Sequence, residues 1–280
     1  MVAPALLLLL WMTAYPLGYA VYMSVHNWQL TFPGRPWIGI DNYRELILDD
    51  PRFVNAIERT AIIGGSALAI EFVVGFTLAL FFWTAFRGTR WLATIVLVPM
   101  MISPVVVGFT ARMGFTDSYG FVNQLIGLFI GHHPSIQWLA DPTLAPIVIV
   151  LADVWQWTPF VFLIMLAGLM SVSQELIEAA RVDGARRMQV LRYVVLPSMR
   201  NIIIIALILR GLELVKLFDV VQLTTRAGPG IATETISSYI YQLGFKDFNL
   251  GYAAAASFVL LVGVSALVFG AVRMLQVRTN

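Results

Sequence analysis

Apolar residues in this chain gather into runs far longer than a soluble helix needs. Stretches of mostly apolar residues fill 3–25, 60–84, 91–114, 144–170, 201–222 and 250–272. Each is about the 20 residues that cross a hydrocarbon core as an α-helix. The runs do not alternate, which argues against a membrane barrel, and backbone groups in lipid must be satisfied within a helix. The pattern predicts an all-α integral membrane protein with six transmembrane helices, organised as one domain over 1–280. The connections at 26–59, 115–143 and 223–249 are long and polar or turn-rich, 85–90 is short, and 171–200 is amphipathic. No basic residue precedes the run Val2–Val25. A cleaved signal would carry such residues, so this run reads as a first span.

Basic residues set the orientation. Arg87, Arg90, Arg181, Arg186, Arg187, Arg192, Arg200, Arg273 and Arg278 fall on one side. Arg35, Arg44, Arg52, Arg59, Arg226 and Lys246 fall on the other, in longer loops. The first side is expected to be cytoplasmic, with both termini inside. Composition agrees with the membrane reading: 59% of residues are hydrophobic and 12% charged, against about a quarter charged in soluble domains. A net charge of +2 gives no argument for nucleic acid. The absence of cysteine removes disulfide, thiol and Cys–metal chemistry.

The segment 171–200 is the most informative. Ser171 and Gln174 have capping-box spacing, which predicts a helix start there. Leu176, Ile177, Ala180 and Val182 give that helix a partly apolar face. Gly184 allows a turn or helix end. A second helix is expected from about Ala185 to Leu196, stopped or kinked by Pro197 before the fifth span. Such a segment can lie on lipid headgroups. Its alanines, where an interfacial helix prefers large residues, and its glycine break favour a short helix docked into a partner.

Glu178-Ala179-Ala180, three residues, Gly184, nine residues, Val194, one residue, Leu196-Pro197 resembles the EAA loop of ABC importer permeases. The one departure from that pattern is Val194 for isoleucine. Trp155-Gln-Trp-Thr158-Pro159-Phe160, Val182-Asp183-Gly184-Ala185, Phe218-Asp219, Gly228-Pro229-Gly230 and Asp50-Pro51-Arg52-Phe53 are similar to maltose-type sugar permeases. The resemblance implies that a second homologous permease completes the translocation path. It also implies a dimer of ABC ATPases that docks on the coupling segment, and an extracytoplasmic sugar-binding protein that delivers cargo. Glu178, Ala179, Ala180, Asp183, Gly184, Leu196 and Pro197 become the coupling residues, with Glu178 facing a basic ATPase residue. The implied site is the cytoplasmic membrane of a bacterium or archaeon, among its lipids.

The chain itself lacks a Walker A loop: its lysines, Lys216 and Lys246, do not follow glycine. ATP and Mg belong to the implied partner, no cofactor to this chain, and no catalytic residue is expected. His132-His133 do not point together, so no metal site is expected. Ionisable residues within spans are costly and often functional. They are Glu71, Asp153, Arg210, Glu213, Lys216 and Asp219. The last four alternate in sign every third residue, so they form a self-neutralised ladder on one helix or line a water-filled path. Glu71 joins helices or touches cargo. Asp153, Trp155, Gln156 and Trp157 combine aromatic faces with polar groups, as sugar sites do, so the substrate path is read as these four with Glu71, Glu213 and Asp219. A proton-driven carrier using Glu71 and Asp153 leaves the EAA segment without a purpose. An intramembrane enzyme lacks a second catalytic group.

Overall fold

The computed structural model describes residues 3–84, 89–132 and 134–277, except for the side chains of 3, 89–90 and 274–277. Arg87, His133 and Arg278, used in the sequence reading, lie outside the described residues. Helices carry the fold, and no strand forms among the described residues. In chain order they are α1 (Ala3–Ser24), α2 (Asp41–Arg44), α3 (Pro51–Trp83), α4 (Thr89–Leu97), α5 (Pro104–Gly114), α6 (Phe121–Ile130) and α7 (Leu144–Met170). These are followed by α8 (Gln174–Val182), α9 (Arg187–Val190), α10 (Leu196–Val215), α11 (Asp219–Thr224), α12 (Ile236–Tyr241) and α13 (Leu250–Val277).

Five continuous stretches are long and apolar enough to cross a membrane: Pro4–Ser24, Pro51–Trp83, Leu144–Met170, Arg187–Val215 and Leu250–Arg273. The expected third span, 91–114, is not one of them. It breaks after α4 into a short 3-10 turn, Pro99–Met101, and restarts as α5 with Pro104 at its first turn. Both prolines lack the N–H that would continue the ladder. The fifth span also differs from 201–222: α10 stops at Val215, and α11 begins separately at Asp219.

The chain forms two compact units. In the unit of residues 1–58 and 235–273, Asp50 is the organising side chain. Its Oδ1 accepts the backbone N–H of Arg52 at 2.9 Å and of Phe53 at 3.0 Å. This N-cap, with Pro51 at the first helical position, starts α3 nine residues before the expected boundary. Its Oδ2 accepts the Tyr239 hydroxyl and, at 3.0 Å, the Tyr252 hydroxyl. Burial raises the Asp50 pKa, but the hydrogen bonds from Tyr239, Phe53, Tyr252 and Arg52 outweigh it and hold the carboxyl below its usual range.

In the unit built on residues 59–234, α7 is the central helix. One apolar cluster joins Ile63 of α3, Val107 of α5, Val148 and Ile149 of α7, Leu214 of α10 and Val221 of α11. A second joins Ala79 and Phe82 of α3, Phe162 and Met165 of α7, Ile177 of α8 and Met199 of α10. Small residues allow the close approaches. A Cβ on Gly75 would meet Val161 Cγ1 at 2.9 Å and the Phe162 backbone nitrogen at 3.0 Å, whereas Gly65 on the same helix has nothing within 4 Å.

The two glycines therefore respond oppositely. Gly75→Ala is expected to destabilise by about 1–3 kcal/mol through overpacking, while Gly65→Ala is neutral or stabilising. Thermal melting of the detergent-solubilised protein checks this, and equal shifts contradict the packing. The clasp on Asp50 has its own pH dependence. A carboxyl held below its unfolded pKa contributes stability that is full above the ordinary carboxylate range and lost as pH falls through the folded value. Asp50→Asn should lower the melting temperature at pH 7, and the difference from wild type should shrink steadily as the pH falls below 4.

Candidate functional site

Three helices each place one ionisable residue at the same level. Along α3, Glu71 lies between Ile63 and Ala67 of one cluster and Ala79 and Phe82 of the other. Along α7, Asp153 lies between Ala152 and Val161, and along α10, Arg210 lies between Leu214 and Ala206. The charges thus meet in a layer between two apolar clusters. Arg210 Nε donates to Glu71 Oε2 at 2.7 Å, and an Arg210 Nη donates to Glu71 Oε1 at 2.9 Å. The same Nη also donates to Asp153 Oδ2. The residues are 2%, 0% and 1% exposed respectively for Arg210, Glu71 and Asp153. A planar guanidinium suits this use, since its fork serves one carboxylate in a bidentate manner and still reaches another.

Arg210 therefore does not join the single-helix ladder that its spacing allowed. Its side chain turns toward two other helices, and only the next rung forms: Lys216 Nζ donates to Glu213 Oε1 at 2.8 Å, on an exposed face. Beside the triad is a cavity of about 90 Å³, lined by Asp153, Trp157, Arg210, Glu213, Lys216 and Asp219. The Arg210 guanidinium carbon stands 5.1 Å from the Trp157 ring centroid, within cation–π range. The volume suits about three waters, well below a sugar ring. As it stands, the cavity is a polar niche beside the triad.

Asp153, Trp157, Glu213 and Asp219 of the expected path are thus brought together at this cavity, and Glu71 stands behind them on Arg210. Trp155 and Gln156 are not part of the lining. Trp155 is 50% exposed. Gln156 is fully buried, and its Nε2 donates to the Ile102 carbonyl at 2.8 Å. That carbonyl lies in the break between α4 and α5, so Gln156 satisfies backbone that the broken helix leaves open. The sequence held no sign of this bond, because the break itself was read as a continuous span.

The segment 171–200 is built as two short helices about a glycine corner. The expected Ser171–Gln174 capping box does not form: Ser171 Oγ donates to the Gly168 carbonyl at 2.7 Å, and α8 starts at Gln174. At its other end Gly184 has φ +83°. Gly184 N–H donates to the Arg181 carbonyl at 3.0 Å, and Ala185 N–H to the Ala180 carbonyl at 3.0 Å. These two bonds make a Schellman cap, which needs a left-handed residue at Gly184's position. Arg186 N–H then donates to Gln189 Oε1 at 2.7 Å and opens α9. Ile177 is buried, Ala180 half-buried, and Glu178, Ala179, Asp183 and Gly184 are exposed. Of the residues expected to give this helix its apolar face, Leu176 and Val182 are exposed, Val182 at 87%.

Pro197 does not stop the second helix. Residues Leu191–Val195 form a π turn between α9 and α10, and Pro197 enters in the first turn of α10. The wider turn accommodates a residue that lacks an N–H and whose ring crowds the preceding turn. One helical path therefore runs from Arg187 to Val215. Leu196 is half-buried and Pro197 exposed along it.

Comparison with known proteins places this architecture. The family described as "Binding-protein-dependent transport system inner membrane component" matches residues 71–279. A probable ABC transporter permease of Sinorhizobium fredii is 36% identical over 266 residues, 94% of this chain and 85% of the relative. The trehalose/maltose transport system permease MalF of Thermococcus litoralis is 32% identical over 96% of this chain and 89% of its own length. Among solved structures, a chain of a bacterial ABC transporter involved in import of the acidic polysaccharide alginate aligns with a TM-score of 0.85. It is 26% identical and covers 100% of this chain and 95% of the other. With a family match over most of its length and relatives above 30% identity, this chain belongs to the inner membrane components of binding-protein-dependent transport systems, the permease subunits of ABC transporters.

Proposed function

We propose that the chain is the permease subunit of an ATP-driven importer that moves a sugar, an oligosaccharide or related polyol, across the cytoplasmic membrane by alternating access. A second homologous permease completes the path, a dimer of ATPase subunits binds ATP and Mg, and an extracytoplasmic binding protein delivers cargo. The observation that carries the reading is the unbroken helical path Arg187–Val215, which begins at the exposed coupling segment and carries Arg210 near its far end. Relatives named for trehalose/maltose, trehalose and sulfoquinovosyl glycerol transport support the cargo class. A related structure was solved with an alginate pentasaccharide-bound periplasmic protein, which supports the delivery step.

In this reading Glu178, Ala179 and Asp183 face the ATPase, and the small Ala179 and Ala180 side chains allow a close approach. Gly184 fixes the angle between α8 and α9. Counted as one crossing, the broken α4–α5 stretch brings the five continuous spans to six, which puts both termini on the cytoplasmic side with the basic residues of the coupling segment. Closure of the ATPase dimer displaces the segment, and the continuous helix carries that displacement to the triad layer. Asp153, Trp157, Glu213 and Asp219 then border the path that opens there.

Two outcomes test this. The Glu178→Lys/Gly184→Asp double variant is expected to insert and assemble, yet to lose roughly tenfold in sugar uptake per ATP hydrolysed. A Cβ in left-handed backbone costs about 1–2 kcal/mol, enough to shift the segment out of register. Unimpaired uptake in proteoliposomes with the partner subunits overturns the coupling role. For the triad, Arg210→Leu leaves two buried carboxylates without their partner and is expected to cost about 3–5 kcal/mol. Glu71→Leu/Asp153→Leu/Arg210→Leu should recover most of the folded yield by fluorescence-detected size exclusion, since an apolar replacement of a whole buried ion group is tolerated.

A further inference from the structure

A second cavity lies at the far end of α3 from Asp50, between the last residues of that helix and the coupling segment. Its volume is about 310 Å³. Leu80 and Trp83 of α3 form one wall, and Ile177 and Leu191 of the coupling segment form another. Arg181 and Arg187 stand at its edge, and no acidic side chain lines it. Neither arginine forms an ion pair among the described residues. The site therefore combines an apolar interior with two unopposed positive charges.

Its level is fixed by α3. Trp83 is the last residue of a membrane-length apolar helix, where an amphipathic ring sits at the headgroup boundary. On the cytoplasmic reading of the coupling segment, on which this inference rests, that boundary is the inner leaflet. Basic pockets between helices on this side select anionic headgroups. A free sugar or nucleotide would leave its polar groups facing the walls of Leu80, Trp83 and Ile177 without partners. A phospholipid satisfies both halves: the phosphate reaches the arginines, and the first acyl carbons enter the apolar part.

We propose that this cavity binds the headgroup phosphate and proximal acyl segment of an anionic phospholipid, held by Arg181 and Arg187 against Trp83 and Leu191. The lipid then fills the space between α3 and the coupling segment.

The test is native mass spectrometry of the full chain extracted with its partner subunits, delipidated, and titrated with phosphatidylglycerol or phosphatidylcholine. Phosphatidylglycerol is expected to be preferred by about fivefold for each arginine. Arg181→Gln/Arg187→Gln should abolish the preference, and Arg181→Lys/Arg187→Lys should retain it. Both side chains are exposed, and monodispersity of each variant verifies folding. Equal binding of the two lipids to wild type overturns the proposal. So does displacement of the lipid by millimolar glycerol phosphate, which would make the site one for a free anion. Efficient cross-linking of a Thr84→Cys variant to the ATPase would mean that the partner occupies the cavity, and overturns it as well. The titration contains no ATP and reads no uptake, so its failure leaves the coupling reading standing, and failure of coupling leaves the lipid result readable.

Discussion

One guanidinium shared by two carboxylates, buried where three helices meet, constrains everything around it. Arg210, Glu71 and Asp153 are each almost wholly removed from solvent. An isolated charge at such a position costs several kcal/mol, and only good geometry offsets that. The bidentate pair with Glu71 and the added bond to Asp153 supply it. Because the three groups come from α3, α7 and α10, the helices cannot slide or rotate past one another without separating charges. The apolar clusters on either side can repack by small shifts, but the triad has one geometry that satisfies its donors and acceptors. It fixes the register of the three helices.

From that layer, α10 leads back through its π turn to α9 and the glycine corner at Gly184. The π turn places Pro197 inside a continuous helix instead of at its end. The Schellman cap sets the angle at which α8 leaves and keeps Glu178 and Ala179 facing outward. In the proposed cycle these two devices make the segment a lever: rigid along α9 and α10, with its bend at one glycine. The niche beside the triad, bordered by Trp157, Glu213 and Asp219, is where such a lever would act on the path.

Much of this was written in the hydrophobic pattern. The apolar run 144–170 coincides with the helix Leu144–Met170, because its polar flank at Asp141–Thr143 contrasts sharply with a continuous apolar run. The first and sixth runs behave in the same way. The third failed because apolar content says nothing about prolines: Pro99 and Pro104 break the ladder while leaving the run apolar. The second was read too short because α3 begins with polar turns, and the signal that could have found it is the Asp50-Pro51 cap. The triad was illegible for a different reason. Spacing on α10 offered Arg210 a local partner in Glu213, and only the three-dimensional meeting of α3 and α7 supplies better ones. In the segment 171–200, the corner at Gly184 was legible as a glycine requirement. Pro197 marked a disturbance there, a stop or a kink, but residue type alone did not say that a π turn would carry the helix through it.

In the proposed cycle the coupling segment and the triad layer move as one body on α9 and α10. Spin labels at Met188 and Leu209, both exposed, would lie about 30 Å apart at 1.5 Å per residue, within reach of double electron–electron resonance. The assembled complex should give the same distance in its resting and ATP-bound states. A distance that changes between those states by more than about one residue's rise would mean that the helix bends or unwinds at its π turn, and would contradict the account.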